Sequence, residues 1–499
     1  MTNEIGLSKS RYCKGIQCPK ILWLDQYKPE VGEDVLPETV IANGNLVGEL
    51  ARQYFGSYSL VEFTYDKEEM VSQTRDFMKL GSENIAEASF LYDGLYCAVD
   101  ILHKNGDGWD IVEVKSSTHV SDIYVEDMAF QYYVLNKCGI EVKHVYNMHI
   151  NNSYVRHGEL DLKELFLLEN FTSEAVGKYN EVASNVSAIR NYVNVEKEPD
   201  KDIDCCCENP YLCAYRSYCG RHVPENSVFC LARMQTKKKY ALYHEGIISY
   251  EDLLNHKNRI NDKQIRQIES LYYNRPDEYD AEKIKDFLDK LYYPIYHLDF
   301  ETFQQAVPEY DGIRPYQQIP FQYSLHIEYE DGRLEHKEFL ARAGEDPRRE
   351  LAEQLIKDIP ENVCTTAYNM SFERTVLLHL AEDFPDLAGH LLNIRDNIYD
   401  LMVPFQNQFY YSAAMQGSYS IKYVLPALWP DAPELDYHNL DGVHNGAEAS
   451  AAFADLVNHT PEEIAVLRQN LLKYCELDTY AMVMVLRKLK EIVKISDKG

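Results

Sequence analysis

A chain of 499 residues exceeds what one ordinary hydrophobic core organises, so two or three domains are expected. With 45% hydrophobic and 12% aromatic residues the composition is globular, and no apolar run approaches eighteen residues, which argues against a helical membrane span. A net charge of −30 disfavours nonspecific coating of nucleic acid, yet a site crowded with metal-binding carboxylates is itself acidic, so a nuclease stays open.

The opening MTNEIGLSKSRYCKG has no signal-peptide pattern, so a cytoplasmic protein with reduced thiols is expected, making no membrane contact. ANGNLVGELARQYF reads as an amphipathic helix. EASFLYDGLYCAVDILHKNGDGWDIVEVKSS reads as consecutive strands with a turn at NGDG. VEDMAFQYYVLNKCG returns to helical spacing and stops at Gly139, and LKELFLLENFTSEAVGKYNEVASNVSAIRNYV reads as a long helical stretch. Within the strands, Glu113 and Lys115 are spaced E-x-K and so share one face, which Asp100 can reach from the neighbouring strand. Two carboxylates suit Mg²⁺ or Mn²⁺, and a lysine beside them can orient water and offset charge on a phosphate. An exposed, salt-bridged strand edge would carry the same residues.

An Asp, then E-x-K on a strand, then a helix bearing Gln131 in AFQYYVL resembles the PD-(D/E)XK nucleases of the RecB-like branch, especially the CRISPR-associated RecB-type exonucleases. The resemblance implies a restriction-endonuclease-like domain over residues 1–224. Asp100, Glu113, Lys115 and Gln131 would be catalytic, with Asp100 and Glu113 on the metal. Two departures stand out. Leu135 takes the place of the family's tyrosine, next to Tyr132 and Tyr133. VGEL around Glu49 stands where relatives carry an early histidine, leaving Glu49 or Glu87 as a third acid.

Residues 202–220 read DIDCCCENPYLCAYRSYCG, with Cys207, Cys213 and Cys219 spaced C-x5-C-x5-C. In a reducing compartment such a patch more often binds metal than forms disulfides, and a fourth soft ligand is needed. SKSRYCKGIQCPKILWL offers Cys13 and Cys18. Cluster-bearing RecB-like relatives take one cysteine, followed by Pro, from the N-terminal segment, which Cys18-Pro19 fits. The resemblance therefore implies a 4Fe–4S clasp held by Cys18, Cys207, Cys213 and Cys219, with Cys205 or Cys206 able to replace Cys207. Structural zinc is the rival. Cys97, Cys138, Cys230, Cys364 and Cys475 read as buried small side chains.

Residues 225–290 read as a helical connector, with the basic run Lys237–Lys239 on a solvated helix face. YYPIYHLDFETF then opens a third region of strands and helices, 291–499. Asp299 and Glu301 share a strand face, Asn369 and Glu373 sit four apart at a helix start, and Tyr474 and Asp478 four apart on a late helix. In this order and spacing they resemble the DnaQ-like DEDD exonucleases, over residues 294 to 490. The resemblance implies an RNase H-like fold, with Asp299, Glu301, Glu373 and Asp478 as metal-binding acids and Tyr474 orienting the attacking water. Glu373 departs from the family's Asp, and Asp400 is the runner-up acid. Lys422, in GSYSIKYVLPALWP, could meet a phosphate or lie on the surface.

The expected architecture is thus α/β and multidomain: a PD-(D/E)XK domain with an iron–sulfur clasp, a helical connector and a DEDD exonuclease. The expected activity is metal-dependent hydrolysis of DNA by exonucleolytic attack on single strands or ends, in repair or phage defence, with Mg²⁺ or Mn²⁺ at two sites. An RNA-processing exonuclease and a nucleic-acid-binding scaffold with a spent site are the alternatives.

Overall fold

The computed structural model describes residues 5–34 and 38–496, without the side chains of 38–43 and 438. The protein is α/β, with mixed sheets and many helices. Among the described residues no helix is long and apolar enough to cross a membrane.

The chain forms two compact units. The first runs through Val223 and also takes in Gln305–Tyr316; the second comprises Pro224–Gln304 and the chain from Gln317 onward. The first boundary lies within one residue of the expected cut at 224, and the second unit also takes in residues 225–290. The 305–316 excursion belongs to the first unit because Arg156 Nη1 donates to the carbonyls of Pro308 (2.8 Å) and Glu309 (3.0 Å). Ala306 and Val307 also join its apolar cluster around Ile101, Val112 and Met148. Residues 225–290 are helical, as expected, but are not a free-standing connector. Gln267 donates to Gln416 O (3.0 Å) and Arg266 to Gln408 O (2.9 Å), which builds them into the second unit. Lys237 and Lys238 are exposed, whereas Lys239 donates to Phe229 O (2.8 Å).

The first unit is built on a seven-stranded sheet: β1 (Leu7–Ser8), β2 (Ser59–Leu60), β3 (Asn84–Tyr92), β4 (Leu95–Asn105), β5 (Gly108–Lys115), β6 (Val142–Ile150) and β7 (Phe166–Asn170). The spatial order is β2-β3-β4-β5-β6-β7, with β1 alongside β4. Asp93 (φ 48°) and Gly94 (φ 73°) join β3 to β4 in a two-residue turn whose left-handed backbone matches the strand twist. β5 and β6 run parallel and are linked by the crossover helix Asp122–Lys137. That helix buries Met128, Phe130, Val134 and Leu135 in a core shared with Leu102 and Ile111.

The long helical stretch expected over 162–193 is interrupted. Phe166–Asn170 is an edge strand paired antiparallel with β6, and helices resume at Thr172–Gly177 and Tyr179–Val193. Asn170 Oδ1 accepts from the backbone N–H and hydroxyl of Thr172 (3.0 and 2.7 Å), which closes the strand and opens the helix.

The second unit holds the two-stranded pair β8 (Glu278–Tyr279) and β14 (Tyr410–Tyr411), and a five-stranded sheet. The latter comprises β9 (Ile295–Phe303), β10 (Ile319–Glu328), β11 (Leu334–Leu340), β12 (Cys364–Ala367) and β13 (Ile398–Asp400), ordered β11-β10-β9-β12-β13. β9, β10 and β11 form an antiparallel meander, and β12 and β13 extend it in parallel. One core lies under Leu298, Phe300, Leu325, Leu351, Val376 and Leu377. The 36-residue helix Pro461–Ser496 buries Leu471, Leu486 and Leu489.

Candidate active sites and a cysteine cluster

In the first unit, β4 and β5 pair from Ile101↔Val112 outward to Asn105↔Gly108 and part on the other side of Ile101. At that fork Asp100 turns toward β5 and accepts the backbone N–H of Val114 (2.7 Å). On β3, Glu87 takes φ 56°, and the ladder steps from Ala86↔Ile101 to Ala88↔Val99, so the backbone is distorted beside Asp100. Lys115 Nζ lies 2.6 Å from Glu113 Oε1, as the shared strand face predicts, and 3.1 Å from Asp127 Oδ2. Gln131 donates to Glu113 Oε2 (2.6 Å) and Asp127 Oδ1 (3.0 Å). Asp100, Glu113, Lys115 and Gln131 therefore converge.

Two members were not foreseen. Asp127 stands one turn before Gln131 on the same helix, an i, i+4 signal that the sequence carried. Lys9 arrives from the first helix (Lys9–Gln17), donating to both Glu113 oxygens at 2.9 Å and lying 3.6 Å from Asp100 Oδ1. Glu49 is exposed, and Glu87 is bound by Arg52 (2.8 Å). Leu135 is fully buried in the core, so it replaces the expected tyrosine with packing only. Burial, then the Glu113 charge, push Asp100 up to about 7. Burial also works against the Glu113 charge, but the Lys115 and Lys9 ammoniums prevail and hold its carboxyl below the usual range.

The cysteine cluster lies in the same unit. Cys18 joins the first helix to the next, Pro19–Tyr27, whose Pro19 sits at its first position. Gln17 ties this corner to the cysteine loop by donating to Cys206 O (2.8 Å) and Tyr211 O (2.7 Å). Cys213 N–H donates to Cys207 O (2.8 Å), and Tyr215 N–H to Cys213 Sγ (3.4 Å). The neighbouring Cys206 thiol lowers Cys18 to about 6 and Cys207 to about 7. Cys213 and Cys219 feel the charges of Cys207 and Cys18. The four expected cysteines are thus gathered, with Cys206 among them and Cys205 beside Asp204. Four thiolates gathered this way would suit either a single zinc ion or an iron–sulfur cluster.

Two single cysteines depart from the expected buried, apolar setting. Cys230 is exposed and donates to Glu225 O (2.9 Å). Cys475 is buried, but its Sγ lies 3.8 Å from Asp299 Oδ2, inside the second acidic pocket.

In that pocket, Asp299 and Glu301 come from β9, where the β9–β10 register shifts between Pro320 and Gln322. Glu373 lies in the first turn of the helix Ser371–Asp383. Asn369 does not share that helix: its φ is 71°, and its N–H donates to Asp400 Oδ1 (2.9 Å), which also accepts from Met402 N–H (2.9 Å). Asp400 therefore pins the two loops. Tyr474 and Asp478 share a face of the C-terminal helix. Tyr437, unforeseen, donates its hydroxyl to Asp478 Oδ1 (2.7 Å). Lys422 donates to His444 O (3.0 Å) and lies over the rings of Tyr437 (5.2 Å) and Tyr474 (5.8 Å). A cavity of about 870 Å³ shares Lys422 and Tyr437 as lining and extends past Trp429, Asn445 and Glu448.

Crowding governs the electrostatics here. Burial, then Asp478, Glu301 and Glu373, raise Asp299 well above the carboxylate range. Burial and the Asp478 charge push Glu301 up to about 8; burial chiefly pushes Glu373 up to about 8, with Asp400 and Asp478 adding to it. Burial lifts Asp478 to about 6 against the opposing Tyr437 hydrogen bond. Glu373 Oε2 is buried with no hydrogen-bond partner. Such a crowded, buried set of acids, which takes up protons when metal-free, suits a divalent cation that would replace them.

A family model described as a domain of unknown function (DUF2779) matches residues 296–420, a span that contains Asp299, Glu301 and Glu373 and ends before Tyr474 and Asp478. No curated protein matches the chain.

Proposed function

We propose that the chain is a metal-dependent nuclease with two separate phosphodiester-hydrolysing centres, acting exonucleolytically on DNA. In this reading the first unit is a RecB-like PD-(D/E)XK domain with an iron–sulfur clasp, and the second a DnaQ-like exonuclease on an RNase H-like fold. The observation that carries it is the pocket of Asp299, Glu301, Glu373 and Asp478. Burial, with neighbouring charge at three of them, raises the proton affinity of four acids from three separate segments, and one carries an orphaned buried oxygen.

Asp299, Glu301 and Asp478 would hold Mg²⁺ or Mn²⁺, with Glu373 completing the set. Bound there, such ions supply an acidified water and neutralise charge at the phosphate. The protein's part is positional. Tyr437 keeps Asp478 ionised and oriented through its hydrogen bond. Tyr474, on the same helix face, can orient the attacking water. Lys422 can offset phosphate charge at the mouth of the adjoining cavity. In the first unit Asp100 and Glu113 would be the metal acids, Lys115 would orient water, and Gln131 fixes Glu113. Cys18, Cys207, Cys213 and Cys219 would hold an iron–sulfur cluster, with structural zinc as the rival.

One observation favours a second reading for the first unit. Lys9 bridges Glu113 and Asp100, where a divalent ion would have to enter, so this centre could be a neutralised, non-catalytic one that serves nucleic-acid binding. End-labelled single-stranded DNA and RNA, digested with Mn²⁺, separate the possibilities. The proposal expects Asp478→Ala to remove products of one polarity and Lys115→Ala those of the other. If Lys115→Ala changes nothing while Asp478→Ala abolishes turnover, the second reading holds. If neither substitution alters the products, the proposal fails.

A further inference from the structure

On the β10–β11 hairpin, His326 stands directly opposite His336, with ring centroids 4.5 Å apart. The C-terminal helix brings Glu476 to the pair. One nitrogen from each imidazole and a Glu476 carboxylate oxygen all lie within 4.8 Å of one another, and His336 Nδ1 is 3.9 Å from Glu476 Oε1.

A chain of hydroxyls meets one nitrogen of each ring. Thr479 Oγ1 donates to the Glu476 carbonyl (3.1 Å) and lies 2.7 Å from His326 Nδ1 and 2.6 Å from Ser324 Oγ. Ser324 Oγ in turn lies 2.9 Å from His336 Nε2. With the single Thr479 proton on the carbonyl, His326 Nδ1–H and the Ser324 hydroxyl both donate to Thr479, and His336 Nε2–H donates to Ser324. This assignment is one that satisfies every group in the chain. It leaves lone pairs on His326 Nε2 and His336 Nδ1. Burial and the facing His336 imidazole push His326 down to about 3, so the ring is neutral.

Two imidazoles, each held by an outer hydrogen bond, and a carboxylate from three segments are a donor set for a borderline d-block ion. We propose that His326, His336 and Glu476 form a zinc site, separate from both acidic pockets, that fastens the C-terminal helix to the β10–β11 hairpin. Zinc–ligand bonds of about 2.0–2.1 Å put such ligands about 3.3 Å apart, so Glu476 has to close on His336 by roughly 0.6 Å. Glu476 is exposed and free to rotate that far. The fastening bears on the helix that carries Tyr474 and Asp478. The site does not depend on the nuclease reading, because it shares no ligand with the acidic pocket.

The test is a Co²⁺ titration of the metal-stripped full chain, followed by visible absorption and displaced with Zn²⁺, on wild type, Glu476→Gln and His336→Asn. The cysteines and acidic pockets are common to all three and cancel in the difference. The expected result is one more equivalent bound by wild type than by either variant. That equivalent should show a ligand-field spectrum without a sulfur-to-cobalt band, and Zn²⁺ should raise the melting midpoint further in wild type than in either variant. Equal stoichiometry and equal zinc response in wild type and Glu476→Gln would overturn the site. Glu476 is exposed, so that variant decides even if His336→Asn folds poorly.

Discussion

Glu373→Gln gives the sharpest test of the crowded-acid pocket, because it should stabilise the metal-free protein while removing activity. Glu373 ionises near 4.5 when unfolded and near 8 when folded. A carboxyl whose folded value is raised contributes stability that is fully present below about pH 4.5 and is lost as pH rises toward 8. At 1.36 kcal/mol per unit, the loss by pH 7 reaches about 3 kcal/mol. Glutamine carries no such charge but leaves a buried amide poorly paired, at about 1 kcal/mol. The net gain at pH 7 is about 2 kcal/mol, which for a unit of this size is about 5 °C in the melting midpoint. Calorimetry in EDTA, following the second unit's transition at pH 5 and pH 7, reads this directly. The expected pattern is a higher midpoint for Glu373→Gln at pH 7, little or no gain at pH 5, and loss of Mn²⁺-dependent stabilisation. An equal drop at both pH values would mark Glu373 as an ordinary packed side chain and refute the reasoning.

Other outcomes follow from the same geometry. Tyr437→Phe removes the hydrogen bond that lowers Asp478, so the acid limb of the pH–rate profile should move to higher pH; an unmoved limb contradicts the assigned role. Tyr474→Phe should lower kcat by about 100-fold with Mn²⁺ affinity unchanged, as checked by single-turnover kinetics and metal titration. Lys9→Ala leaves three acids facing one ammonium, and should destabilise the metal-free first unit by about 3 kcal/mol, with divalent ions restoring more of the loss than they add to wild type. Cys213→Ser should abolish brown iron–sulfur absorbance in anaerobically purified protein, and metal analysis should find iron in wild type rather than zinc.

The sequence revealed those parts of the sites that lie on a single element. Glu113 with Lys115 and Asp299 with Glu301 follow from the two-residue strand period, and Tyr474 with Asp478 from the helical turn. Lys9, Tyr437 and Cys475 could not be read in this way, because each reaches its pocket from a different segment and only tertiary folding supplies the proximity. The same holds for His326 and Glu476, whereas Asp127 was legible four residues before Gln131 and was overlooked. The edge strand Phe166–Asn170 was hidden in ELFLLENF, whose bunched apolar residues fit a helix as well as a strand. Gln305–Tyr316 carries no compositional mark of its return to the first unit; the Arg156 hydrogen bonds and the burial of Ala306 and Val307 determine it.

Direct counting of Mn²⁺ by electron paramagnetic resonance tests the central claim, that two separate groups of carboxylates each hold divalent ions. The account predicts that Asp299→Asn with Asp478→Asn abolishes one class of bound Mn²⁺, and Asp100→Asn with Glu113→Gln the other, each leaving its counterpart intact. Mn²⁺ binding indifferent to both pairs of substitutions would contradict it.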